Sequence, residues 1–247
     1  AHYRFPEAFA NAERADAVFR ESCQGVPWEL STTHHILSMC LWNQGRYGEL
    51  AERAPRWLRE ARERSDLYGS TTITVSGGWA RTLAGNRPDE GMRAIDEAMG
   101  EWGQPPFQLQ HYMAMQAKTE LEIYAGRGGA AYARQERDGP AFKRSLLTTM
   151  PTMRFVVHTL RARSAIAFAR ESRARRRALV DEALRELAKA RKAMPQAANQ
   201  GVADAYEAGA RELQGDEAAA ARLLRQAIPS LEAAHMGGFA AGAKLHL

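Results

Sequence analysis

The chain has 247 residues, 45% apolar and 26% charged, with a net charge of +5 and only two cysteines. That balance suits a folded chain with a substantial core and excludes a disordered tail or a disulfide framework. No apolar run approaches the roughly eighteen residues that would span a bilayer, and Cys23 and Cys40 read as inert thiols of a reducing cytoplasm.

A first helix is expected from Pro6 to about Ser22, with Ala8, Phe9, Ala12, Ala15 and Phe19 near one face. Gly25 and Pro27 end it, and a second helix from Trp28 to Gln44 carries Leu30, Ile36, Leu37, Cys40 and Leu41. A third, Tyr47 to Arg64, contains Pro55, which predicts a kink or a short first turn. Residues 67–84 are harder, because Thr71-Thr-Ile-Thr-Val-Ser76 has strand propensity. A lone strand would leave its backbone groups unpaired, so the segment is read as helix, with Gly77 and Gly78 allowing close packing.

Pro88 opens a helix to Trp102, and Pro105 and Pro106 punctuate its exit. Helices follow over Phe107 to Tyr124 and Gly129 to Arg137, the latter resuming from Pro140 to Lys143. A long helix is expected from Ser145 to Ser172, with Pro151 dividing its first turn from the rest. Ala174 to Met194, Gln196 to Gln214 and Asp216 to Ala234 complete the series before Gly237-Gly238 and a short tail.

Gly45, Gly85, Gly126 and Gly215 are spaced by 40, 41 and 89 residues, the last gap being close to two units with a glycine-free copy between. Two helices per unit of about forty residues mark a helical solenoid. The predicted fold is therefore all-α, a right-handed superhelix of about six helical hairpins forming one domain over 1–247.

Leu41-Trp-Asn-Gln-Gly-Arg-Tyr-Gly-Glu-Leu-Ala51 and Gln214 to Ala227 resemble the turn and second-helix opening of a tetratricopeptide repeat. Cys23 to Leu30, Leu58 to Tyr68, Gln108 to Tyr112 and Lys143 to Leu147 extend the likeness to most of the chain. Together they resemble the tetratricopeptide-like region that follows the catalytic domain of large bacterial serine/threonine protein kinases. The unit here is longer than the standard repeat, and the large residue near the start of each first helix is often missing. The resemblance implies a cytoplasmic, non-catalytic interaction or sensor region within a signalling protein, and a chain that is a piece of something longer. The alternative is an effector-binding helical region of a transcriptional or ATPase regulator.

No kinase signature occurs, and Gly126-Arg-Gly-Gly129 is a helix connection, because no Gly-Lys-Ser/Thr follows to hold phosphates. His34 and His35 are neighbours and point about 100° apart on a helix, which does not suit chelation. No metal, cofactor or catalytic residue is therefore expected, and the partner is expected to be a protein or peptide. Trp42, Trp79, His111 and Tyr112 are candidates for a partner-binding groove.

Between Arg154 and Lys192 twelve Lys/Arg face four Asp/Glu, a local +8. Its sharpest part is Arg173, Arg175, Arg176 and Arg177, at the start of a helix where cations oppose the macrodipole, so helix stability does not account for them. They form a candidate basic docking patch. With only Tyr206 and Phe239 as aromatic residues after Phe168, a surface that stacks nucleic-acid bases is not expected.

Overall fold

A computed structural model describes residues 4–103 and 106–247, and among them every regular element is helical. The helices are α1 (Phe5–Ser22), α2 (Pro27–Gln44), α3 (Tyr47–Glu63), α4 (Leu67–Ile73), α5 (Ala80–Ala84), α6 (Pro88–Trp102) and α7 (Leu109–Tyr124). They continue as α8 (Gly128–Arg144), α9 (Pro151–Glu171), α10 (Arg176–Ala193), α11 (Ala197–Gln214), α12 (Glu217–Ala233) and α13 (Gly237–Leu245). None is long and apolar enough to cross a membrane.

Starts at Pro27, Leu67, Leu109, Pro151, Ala197 and Gly237 fall 40 to 46 residues apart, so the spacing expected from the glycines recurs in the helices themselves. The turn that ends four of these first helices is built alike. At Gly45, Gly126 and Gly215, with φ of 76°, 68° and 81°, the chain enters the left-handed region that a side chain disfavours. The next amide reaches back five residues: Arg46 N–H to Leu41 O, Arg127 N–H to Glu122 O, Asp216 N–H to Arg211 O. The second copy corrects the expectation in one detail. Gly85 has φ of −86°, and Asn86, at 53°, is the left-handed residue, followed by the same bond from Arg87 N–H to Thr82 O. The glycine-free copy is the connection between α9 and α10.

The run Thr71 to Ser76 is helical, as the absence of a strand partner required. Between α4 and α5 the helix widens into a π-turn over Thr74–Gly78. Thr74 Oγ1–H returns to Ser70 O at 2.8 Å, so a β-branched hydroxyl residue is satisfied within the helix. Gly77 lies against Ser38 and Leu50, as close packing required, while Gly78 faces only the Ile73 carbonyl of its own helix.

Pro55, Pro140 and Pro229 all lie inside continuous helices, and α8 runs unbroken through Pro140. Pro151 begins α9 instead of interrupting it, behind a 3-10 turn at Leu146–Thr149. Pro105, expected to punctuate the exit of α6, lies outside the described residues.

Two compact units are present. In the first, Arg4–Leu121, α1 packs most extensively on α2, α3 packs on α2 and α4, and α4 and α5 pack on α6. Leu37, Leu41, Leu50, Ala54, Trp57, Ala61 and Ile73 form its core, which α1 covers with Ala12. In the second, beginning at Glu122, α9 pairs with α10 and α11 with α12, with α8 against α9 and α13 against α12. Its core is alanine-rich, Ala162, Ala165, Ala169, Ala183, Ala203 and Ala210 around Leu179, Val180 and Leu187, as closely approaching helices need.

Candidate interaction surfaces

In the first unit α1 is held largely by polar contacts. Of its 18 residues only Phe5 and Ala12 are buried. Arg20 bonds Asp16 at 2.7 Å and reaches α3 at Glu60, 2.8 Å away, while Arg53 of α3 returns to Glu13 at 2.5 Å. His34, fully buried, donates from Nε2 to Asp16 at 2.9 Å and stacks on Trp57 with ring centroids 4.8 Å apart. Burial opposes ionisation of Asp16 and Glu60, yet the bonds from His34 and Arg20 to Asp16, and from Arg20 and Arg56 to Glu60, hold both carboxyls below their ordinary range.

The unit also holds buried polar atoms without hydrogen-bond partners: Thr32 Oγ1, His34 Nδ1, His35 Nδ1 and Gln44 Nε2 on α2, Thr71 Oγ1 on α4 and Ser76 Oγ in the π-turn. Burial lowers the His35 pKa. Orphaned buried groups are costly, and their concentration on α2 and the segment packed against it is the least satisfied part of the unit.

Of the groove candidates, Trp42 and Trp79 come together, ring centroids 4.6 Å apart, with Tyr47 4.8 Å from Trp42. Trp79 is only 5% exposed and donates its indole N–H to Val75 O, so it is part of the packing. Tyr112, at 4%, is likewise interior. His111 ties down the start of α7, its Nδ1 accepting from Gln108 N–H at 3.2 Å and its Nε2 bonding Gly103 O at 3.3 Å. Rings open to solvent include Trp28, 58% exposed, Tyr124 and Tyr47. Apolarity alone gave no signal separating these from core rings; the placement of Trp28 in the first turn of α2, just after Pro27, was the available clue.

In the second unit Arg161, Arg170, Lys189 and Arg191 of the basic segment are neutralised. Arg161 bonds Glu136 and Glu182, both at 2.6 Å, and lies over the Tyr132 ring. Arg191 meets Asp204 and Glu207, Lys189 meets Glu186, and Arg170 meets Glu212. Burial favours the neutral Glu186 acid, but the bonds from His158 and Lys189 prevail and hold its pKa down at about 2. Burial and the bond it donates to Glu182 push the Tyr132 phenol up to about 12.

The four arginines of the candidate docking patch stand where α9 gives way to α10. Arg175 covers Phe168, 4.9 Å from its centroid, and Arg176 Nε donates to Ala169 O at 3.2 Å. Arg173 and Arg177 are exposed. Among the described residues none of the four forms an ion pair.

No protein-family model, curated protein or solved structure matches this chain.

Proposed function

We propose that the chain is a non-catalytic protein-interaction or sensor region of a cytoplasmic signalling protein, of the kind that accompanies bacterial serine/threonine kinases. Its helix pairs would stack as a right-handed superhelix. The observation that carries this reading is the recurrence of one turn, left-handed residue plus five-residue back-bond, at Gly45, Asn86, Gly126 and Gly215. Repeated helical hairpins expose long surfaces for peptides and proteins, and the resemblance of Leu41 to Ala51 to a tetratricopeptide turn points the same way. The test is affinity capture on the immobilised chain, competed by the free chain. Saturable retention of a protein is the expected result, and retention that free chain does not displace would overturn the reading.

The unpaired buried atoms of α2, α4 and the π-turn favour a second reading, an effector-binding region of a transcriptional or ATPase regulator. A small polar molecule that reached any of these atoms would remove the cost of leaving it unpaired. Melting-temperature shifts against a metabolite panel separate the two, since binding of a ligand only to the folded state raises the transition.

A further inference from the structure

The glycine-free copy of the repeat puts Ser172 to Arg175 between α9 and α10, and charge has collected there instead of a turn-making glycine. The end of α9 accounts for part of it, since Arg176 Nε donates to Ala169 O in its last turn, but the start of α10 does not. Cations at a helix N-terminus meet the positive end of the macrodipole, and α10 has no side-chain cap on its first amides. Two other helix starts are capped by a carboxylate, Asp66 accepting from Gly69 N–H in α4 and Asp216 from Ala219 N–H in α12, while α1, α2, α3, α6, α9, α11 and α13 begin without a side-chain cap, as α10 does. The carboxylate adjoining the arginines in sequence, Glu171, is spent on α8, where its two oxygens accept from Gly128 N–H and Gly129 N–H. Asp181, one turn on from Arg177, forms no ion pair with it among the described residues.

Two of the four guanidinium groups are fixed in advance. Arg175 lies over Phe168 and Tyr132, and Arg176 is tethered to Ala169 O, so both present positive charge without needing an anion to order them. Arg173 and Arg177 remain exposed on either side.

We infer that the α9–α10 connection is a docking site for an acidic peptide segment of a partner protein, its clustered carboxylates held by Arg173, Arg175, Arg176 and Arg177. The inference rests on the interaction reading above and names the chemistry of the partner. The size of the footprint favours a peptide over a nucleic acid. Arg161, Arg170, Lys189 and Arg191 are paired with Glu136, Glu182, Glu186, Asp204, Glu207 and Glu212, so the densest free charge is the short run from Arg173 to Arg177, with only Arg185 and Lys192, besides the paired Lys189, as exposed basic residues further along α10. The rings beneath it, Phe168 and Tyr132, are covered by guanidinium groups and do not offer open faces for bases. Guanidinium forks and carboxylates match in geometry as well as charge.

The test is fluorescence anisotropy of a labelled oligo-glutamate peptide titrated with the whole chain at low salt, beside a Gly/Ser peptide and a single-stranded DNA oligonucleotide. Arg173→Gln with Arg177→Gln removes the two exposed arms and leaves the packed pair in place. Arg222→Gln with Arg225→Gln removes the same charge from exposed positions on α12. The expected result is saturable binding of oligo-glutamate, weakened roughly tenfold by the first double variant and much less by the second. Equal loss in both variants, absence of oligo-glutamate binding, or stronger binding of the oligonucleotide overturns the inference. Circular dichroism melts of both variants should match the parent, which separates lost binding from lost fold. A partner captured by the parent and equally by Arg173→Gln/Arg177→Gln keeps the interaction reading and removes only this site.

Discussion

His35 shows how a single side chain can set the response of its unit to pH. Its pKa is lowered by burial, so between its unfolded value of about 6.5 and its folded value the unfolded chain binds the extra proton. Stability contributed by the neutral ring is therefore present at neutral pH and lost as the pH falls below about 6.5. Thermal melts followed from pH 7.5 to 5.5 should show a falling midpoint, and His35→Gln should flatten that slope. The tryptophans make a second contrast. Trp79→Ala opens a cavity beside Trp42 and should cost about 3–5 kcal/mol in denaturant unfolding, whereas the exposed Trp28→Ala should stay within about 0.5 kcal/mol. In the sequence Trp79 stands out as a groove candidate and Trp28 is passed over, because periodicity identifies a helix face and not what lies against it. His34 was visible only as one of an adjacent pair; its bond to Asp16 crosses 18 residues and depends on how α1 seats on α2.

At the scale of the element, the turns were the most readable feature. Gly45, Gly126 and Gly215 announce left-handed backbone, and the structure repeats it at Ser65 and His235, with φ of 53° and 56°, where the following amides Asp66 N–H and Met236 N–H reach back to Ala61 O and Leu231 O. Those two turns escaped sequence reading because neither residue is a usual choice there. Ser65→Gly should relieve the strain and raise stability by about 0.5–1 kcal/mol, read from the urea midpoint. Gly128→Ala should do the reverse. A methyl there would overlap the backbone of Ala167 and Phe168, so α8 and α9 must separate, and the expected loss is about 2 kcal/mol. The helical state of Thr71 to Ser76 could be argued from the lack of a strand partner, but the π-turn could not. It depends on a register shift of one residue that no side-chain pattern encodes.

For the molecule as a whole, charge was legible as a sum and illegible as a distribution. The +8 segment could be counted, yet its partners Glu136, Asp204, Glu207 and Glu212 lie outside it and become neighbours only through helix packing. Such pairs set the acid limit of the fold. Glu186, with its folded pKa at about 2 against an unfolded value near 4.3, contributes stability that is present above about pH 4.3 and disappears as the pH falls toward 2. Asp16 and Glu60 act in the same direction. Unfolding midpoints should fall steeply below pH 4.3, and Glu186→Gln should remove about 2 kcal/mol at pH 7 while making the acid limb shallower.

The side-chain bonds between helices share a short reach. Arg20 to Glu60 and Arg53 to Glu13 span 40 residues, Gly129 to Glu171 spans 42, and Tyr132 to Glu182 spans 50. A chain with such short-range wiring can assemble in the order in which a ribosome delivers it, each new helix meeting neighbours already in place instead of waiting for a distant terminus.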